Sequence, residues 1–293
     1  MNILITVIIP HYNSWDKLER AICSVPARED IQLIVVDDKS AEYTEKTEQL
    51  REKYPRVEFY PNNSDKKGAG QARNIGLKHA AGTWLCFMDA DDYFLDSFAG
   101  FADSCLDEAY DIIYCTPTSL IEGTDRLSHR HERYEGFVQE FLNDPNESTE
   151  LLLRSKFVVP WSKFIKRELV AGHQITFDPV MYSNDVMFSV KTGFFARRIK
   201  ACPDVIYCVT EGEKTLTKNV SKKSKMIRSK VYLRRYRFFR QHLSRTQMLV
   251  LGYNRFSGML IALDCLGIDT VPLKRWMRIP VRVWRCIRYL VGK

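Results

Sequence analysis

Two acidic clusters directly follow apolar runs. Asp89-Ala90-Asp91-Asp92 comes after Thr83–Met88, and Asp37-Asp38 comes after Ile31–Val36. Three carboxylates within four residues repel one another unless a cation or solvent offsets their charge. A hard divalent ion, Mn²⁺ or Mg²⁺, takes oxygen ligands and bridges to phosphate oxygens. Such an ion would neutralise charge on a departing diphosphate. A solvated turn that caps the next helix would look the same in sequence. Of the Asp37-Asp38 pair, one carboxylate is suited to accept from a nucleobase N–H while the other holds a loop, and helix capping is again the alternative. Gly68 and Gly70 are spaced as GxG, but they follow a polar loop and the third glycine is misplaced for a dinucleotide fingerprint.

The elements that must position these groups read as alternating strands and helices. Ile3–Ile9, Ile31–Val36, Val57–Tyr60 and Thr83–Met88 are apolar runs expected as buried strands. Between them lie expected helices: one capped by Asn13 or Ser14 and running to about Val25, one over 42–53 and one over 71–80. That order is the βαβ rhythm of an open sheet, whose ligands bind beyond the carboxyl ends of the strands. Here those ends are Pro10-His11-Tyr12-Asn13, Asp37-Asp38 and Asp89–Asp92. A helix around 98–109 and a strand over 112–115 follow. The polar stretch Pro117–Pro145 is expected as loops over the site, and 149–213 as short helices and strands.

Val7-Ile-Ile-Pro-His-Tyr-Asn13, Ile34-Val-Val-Asp-Asp-Lys-Ser40, Gly70-x-Ala-Arg-Asn-x-Gly76 and Phe87-Met-Asp-Ala-Asp-Asp92 occur in this order. Together they resemble the nucleotide-sugar-binding half of the bacterial-type family 2 glycosyltransferases. The likeness continues more loosely through Trp161–Val170 and Tyr182–Phe188, to about Asn219. It implies an α/β GT-A fold, a doubly wound mixed sheet, and inverting displacement at an anomeric carbon. Pro10, Tyr12, Asn13, Asp37 and Asp38 would then surround the base and ribose, with Arg73 near the base or phosphates. Asp89, Ala90 and Asp91 would line the nucleotide sugar, and Asp91 and Asp92 would hold the Mn²⁺ or Mg²⁺ ion. Asp185 matches the family's catalytic base, which must reach the acceptor hydroxyl opposite the leaving diphosphate. The family's preceding acid is replaced by Asn184, and Asn184-Asp185 also suits the cap of a helix starting at Val186. Trp161, Lys163 and Asn184 are expected on the acceptor side. The donor expected from the resemblance is a UDP-sugar, and the acceptor a glycan or lipid-linked glycan of a surface polysaccharide.

Bulk features set the frame. The chain has 293 residues and 45% hydrophobic residues, enough for a large domain and an appendage. Its eight cysteines form no CxxC pair and read as reduced thiols of a cytoplasmic protein. Ile3–Pro10 is too short for a signal peptide, and no run approaches the roughly 20 apolar residues of a transmembrane helix. From Lys214 onward 20 Lys and Arg face only Asp264 and Asp269, a net +18, whereas residues 1–213 carry −10 of the overall +8. The expected division is a catalytic domain over 1–213, with a nucleotide-sugar half at 1–115 and an acceptor and base half at 116–213. A basic helical extension covers 214–293. Lys222–Arg245 interleaves cations with Tyr232, Tyr236, Phe238 and Phe239, and Pro272–Lys293 sets a basic stripe beside an aromatic-bearing apolar one. Such helices suit the inner face of an anionic membrane, or pack on the domain. Nucleic acid would attract the same charge, but no known nucleic-acid module surrounds it, and none is expected as a partner. Asn184 leaves one further alternative, an inactive nucleotide-sugar-binding regulator.

Overall fold

A computed structural model describes residues 3–104, 106, 109–212, 221–254 and 256–268. The chain falls into two compact units, Met1–Leu216 and Thr217–Lys293.

The first unit is built on one mixed eight-stranded sheet. Its first strands are β1 (Ile5–His11), β2 (Ile31–Asp37), β3 (Val57–Pro61) and β4 (Trp84–Phe87), and they pair in parallel in the spatial order β3-β2-β1-β4. Each central strand is an apolar run because helices cover both of its faces; β1 is buried along its whole length. Strands β1 to β3 step outward in one direction, and β4 returns to the far side of β1. The point where strand order reverses therefore lies between the carboxyl ends of β1 and β4, where α/β sheets hold their ligands.

Helices α1 (Trp15–Ser24), α2 (Tyr43–Lys53) and α3 (Ala69–His79) connect these strands. The two glycines that bound the Gly70–Gly76 motif mark close approaches. A Cβ on Gly76 would stand 2.5 Å from Ile8 Cγ2 on β1, and one on Gly70 would stand 2.3 Å from the carbonyl oxygen of Asp178.

The second half adds β5 (Tyr93–Phe94), β6 (Ile112–Ile121), β7 (Lys163–Lys166) and β8 (Ile199–Glu211), completing the order β4-β7-β6-β8-β5. Strand β7 is antiparallel to both neighbours, so the sheet is mixed. Around it lie α4 (Ser97–Ser104), α5 (Glu132–Asn143), α6 (Glu147–Lys156), α7 (Arg167–Gly172) and α8 (Val186–Phe195).

One expectation is corrected here. Pro117–Pro145 is not a run of loops: β6 continues to Ile121, and α5 occupies much of the remainder. Pro117 fits within β6 because its register against β8 shifts at Thr116 and Pro117, a local irregularity that tolerates a residue without an N–H. Of the two candidates for the cap of α1, Asn13 lies one residue before the cap position. Ser14 occupies the cap, its side chain makes no capping bond, and its N–H donates instead to His11 Nε2 at 3.0 Å.

The second unit contains α9 (Lys222–His242), α10 (Arg245–Val250) and α11 (Ser257–Cys265). Ser221 caps α9, and Ser244 with Gln247 forms a capping box on α10. Tyr236 and Phe239 are buried, and Arg235 Nε donates to Tyr253 Oη at 3.1 Å. Lys223, Lys230, Arg234 and Arg237 recur at helical spacing along the exposed face of α9. No helix among the described residues is long and apolar enough to cross a membrane. The stripe expected over Pro272–Lys293 lies outside the described residues.

Candidate active site

The acidic loop after β4 is held from behind by β8. The Asp89 N–H donates to Tyr207 Oη at 3.1 Å, and that hydroxyl donates to Asp92 Oδ2 at 2.7 Å. The Thr210 N–H donates to Asp92 Oδ1 at 2.7 Å, so both oxygens of this buried carboxylate are engaged by the protein. Burial first, then Asp91 and Asp89, push the Asp92 carboxyl well above its ordinary range. Asp91 is anchored through its main chain, whose carbonyl accepts from Arg20. Its carboxylate takes no side-chain hydrogen bond among the described residues, and burial followed by Asp89 raises its pKa against the pull of Lys17 and Arg130.

Asp89, Asp91 and Asp92 each present an oxygen, and these atoms lie within 4.8 Å of one another. Hard oxygen donors set this close together suit a divalent cation, which would relieve their mutual repulsion. Asp91 is the member whose carboxylate no side chain among the described residues engages.

Arg73 links this loop to the base candidate. Its buried guanidinium, only 4% exposed, donates from Nη2 to Asp89 Oδ1 and from Nη1 to Asn184 Oδ1 at 2.9 Å. Its Nε has no hydrogen-bond partner among the described residues, and the guanidinium carbon lies 5.3 Å from the centre of the Phe177 ring. The neighbouring Asn74 donates from Nδ2 to the Phe177 carbonyl and accepts the Phe177 N–H at Oδ1, at 2.9 and 2.8 Å. One helix face, Gly70-Arg73-Asn74, thus seats the segment that leads to Asn184-Asp185.

Asp185 stands at the start of α8, but its side chain makes no capping bond. Phe188, one turn on, stacks on Phe177 at 3.8 Å and meets Phe87 of β4 edge-on at 5.3 Å. The base candidate and the acidic loop therefore share one rigid aromatic support. Burial raises the Asp185 pKa to about 6, opposed by Arg73 and Lys163 and reinforced by Asp89.

The β1 and β2 exits are tied together by the other predicted residues. His11 Nε2 accepts from Ser14, so its proton sits on Nδ1 and is donated to Asp37 Oδ1 at 3.1 Å. Burial pushes the Asp37 carboxyl up, but bonds from His11 and Ser40 outweigh it and hold the carboxyl below its ordinary value. Asp38 accepts from Asn62 Nδ2 at 2.7 Å and from the Gly68 N–H at 2.6 Å, fastening the β3 exit and the start of α3. Neither aspartate caps α2, whose cap position is Glu42. Asn13, at φ 48°, accepts the Ala41 N–H at 2.8 Å. Pro10 and Ala90 are buried. Tyr12 is 48% exposed, with the Lys67 ammonium 3.8 Å from its ring centre.

Two of the three residues expected to face an acceptor do not do so. Trp161 is buried and stacks parallel to Tyr207 at 5.5 Å. Lys163 is 1% exposed, and its ammonium donates to the Phe157 carbonyl at 2.7 Å beside the rings of Phe157 and Tyr114. Burial drives its pKa well down, with Asp185 the opposing influence. Their apolar and aromatic neighbours turn both side chains inward; only Asn184 remains partly exposed at the site. Sequence reasoning missed Tyr207, Thr210 and Arg20, which hold the acidic loop from distant positions.

The family model described as glycosyl transferase family 2 matches residues 6–172. The chain belongs to glycosyltransferase family 2. Among its relatives, the uncharacterized glycosyltransferase EpsJ of Bacillus subtilis is 26% identical over 223 residues, 73% of this chain and 63% of that protein. The GalNAc(5)-diNAcBac-PP-undecaprenol beta-1,3-glucosyltransferase of Campylobacter jejuni is 28% identical over 184 residues, 62% of this chain and 57% of that protein. The chain spans about three-fifths of the length of three of its curated relatives and about a third of three others. Staphylococcus aureus TarS 1–349, solved with UDP-GlcNAc, superimposes with a TM-score of 0.64 at 19% identity, covering 89% of this chain and 72% of TarS 1–349. The mannosyltransferase PcManGT of Pyrobaculum calidifontis, solved with GDP-Man and Mn²⁺, gives 0.56 at 17% identity over 99% of this chain and 87% of its own. The expected GT-A fold is the fold of this family 2 chain.

Proposed function

We propose that this chain transfers a sugar, with inversion, from a nucleoside diphosphate donor to an acceptor hydroxyl in surface glycan synthesis. The observation that carries this reading is the Asp89–Arg73–Asn184 chain, which binds the acidic loop and the Asp185 segment into one site at the switch point. Asp37, Asp38, Tyr12 and Arg73 form the base and ribose side, with Pro10 and Asn13 shaping its floor. Asp91, backed by Asp89 and Asp92, would hold Mn²⁺ or Mg²⁺, and a bound ion would supply positive charge to the leaving diphosphate.

Asp185 takes the proton of the acceptor hydroxyl. A carboxyl titrating at about 6 is ionised at neutral pH yet basic enough to share a proton in the transition state. Arg73 offsets its charge and keeps it apart from that of Asp89. A UDP-sugar donor and a glycan or lipid-linked acceptor are supported by what TarS binds and by what the Campylobacter relative is named for. The cationic face of α9 supports docking of this protein on the cytoplasmic face of an anionic membrane.

Equilibrium binding of UDP and GDP with Mn²⁺ tests the donor side. One nucleotide should bind, with at least a tenfold loss in Arg73→Ala; absence of binding to either refutes the reading. Cosedimentation with phosphatidylglycerol vesicles tests docking, which should weaken when Lys223, Lys230 and Arg234 are changed to Glu.

A further inference from the structure

The hydrogen bond between Arg73 and Asn184 fixes which way the Asn184 amide points. A guanidinium has five N–H donors and no acceptor. The Asn184 atom 2.9 Å from Arg73 Nη1 must therefore be Oδ1. Turning the amide over would set N–H against N–H beside a buried cation. Nδ2, with two N–H donors, is left on the other side, and it has no partner among the described residues. The residue is otherwise pinned. Its carbonyl accepts the Asp178 N–H at 3.0 Å, and a Cβ on Gly70 would come within 2.9 Å of its own Cβ. Asn184 thus presents two unused donors from a rigid mount, next to Asp185.

An acid at this position, as the family resemblance leads one to expect, could only accept. The change from acid to amide matters little to a sugar hydroxyl, which can donate or accept. It favours a group that accepts and has no proton to give, such as an acyl carbonyl or a carboxylate. A carboxylate would join Asp89, Asp91, Asp92 and Asp185, four acids already in one site, and like charges in such a place disfavour each other. A neutral acyl oxygen carries no such penalty.

We propose that Asn184 Nδ2 donates to the acyl oxygen of an N-acylated sugar, and that this contact makes the chain selective for such a sugar. The inference rests on the transferase reading of the Asp185 site. Its chemistry is the same whether the acylated sugar belongs to the donor or to the acceptor.

Two arms separate those sources. In the first, affinity and hydrolysis are compared for UDP-GlcNAc and UDP-glucose with Mn²⁺, in wild type, Asn184→Asp and Asn184→Ala. In the second, transfer is compared onto p-nitrophenyl glycosides of GlcNAc and of glucose. Wild type should prefer the acetamido sugar by about tenfold in one arm, the scale of one neutral hydrogen bond. That preference should fall to near unity in both variants, while their melting temperatures confirm folding. A response in the first arm assigns the contact to the donor, and in the second to the acceptor. Wild-type turnover with no acetamido preference in either arm, or a preference unchanged in both variants, overturns this inference alone. No binding of any nucleotide sugar overturns the transferase reading and this inference with it.

Discussion

Tyr207 and Asp92 are joined by a 2.7 Å hydrogen bond, and the same phenol accepts the Asp89 N–H. One hydroxyl on β8 thereby fixes both ends of the acidic loop, although 115 residues separate it from Asp92. Tyr207→Phe should cost about 1–3 kcal/mol of stability, because it leaves a buried carboxyl short of a donor. The larger consequence should be a weaker response to Mn²⁺, read as a several-fold rise in the metal concentration for half-maximal turnover. Chemical denaturation and a metal titration of the same variant check both.

Asp185 gives the reaction its acid limb. Its carboxyl, raised to about 6 by burial, must be ionised to take a proton, so kcat/KM should fall with unit slope below about pH 6. Asp185→Asn should abolish transfer at every pH. The same shift bears on stability with the opposite sign. Between its unfolded value near 3.8 and about 6 the folded state binds more proton, so ionised Asp185 destabilises the fold progressively over that window and fully above it. Asp185→Asn should therefore melt higher than wild type at pH 7.5, with that advantage gone at pH 3.5.

Gly70 is required for closeness. A methyl there would stand 2.3 Å from the Asp178 carbonyl oxygen and 2.9 Å from Asn184 Cβ. Gly70→Ala should push the 178–185 segment off α3 and lower kcat by more than tenfold, since a 1 Å misplacement costs about a hundredfold. Donor affinity should fall less, because Asp37 is held by His11 and Ser40 and not by the 178–185 segment. Separate measurement of nucleotide affinity and kcat distinguishes the two effects.

Much of this site was legible in the sequence, for a physical reason. The strands β1, β2 and β4 are buried on both faces, so each reads as an apolar run, and the polar residues that end them mark the ligand side. The Gly70–Gly76 motif was equally visible, and its Gly70, Arg73, Asn74 and Gly76 each have a contact that explains them. What stayed hidden depends on long-range partners. Tyr207 has no local signal, since a phenol in an apolar strand looks like any core aromatic. Lys163 was expected on the acceptor side, and a lysine is rarely buried; its inward turn is set by Phe157 and Tyr114. Helix α5 was misread as loop, although Tyr134, Phe137, Val138, Phe141 and Leu142 recur at helical spacing toward the core. Asn184 was noticed as a departure, but its meaning required the direction of the Arg73 guanidinium.

Release of free nucleoside diphosphate from UDP- and GDP-sugars, with Mn²⁺ and with chelator, tests the central claim most directly. Wild type should hydrolyse one donor slowly in the metal's presence and lose that activity in chelator. Asp91→Asn, which alters the carboxylate of the cluster that no described side chain engages, should lose it by at least a hundredfold while remaining folded. Turnover that is indifferent to chelator and to Asp91→Asn would contradict the account, as would the absence of turnover with every donor and acceptor tried.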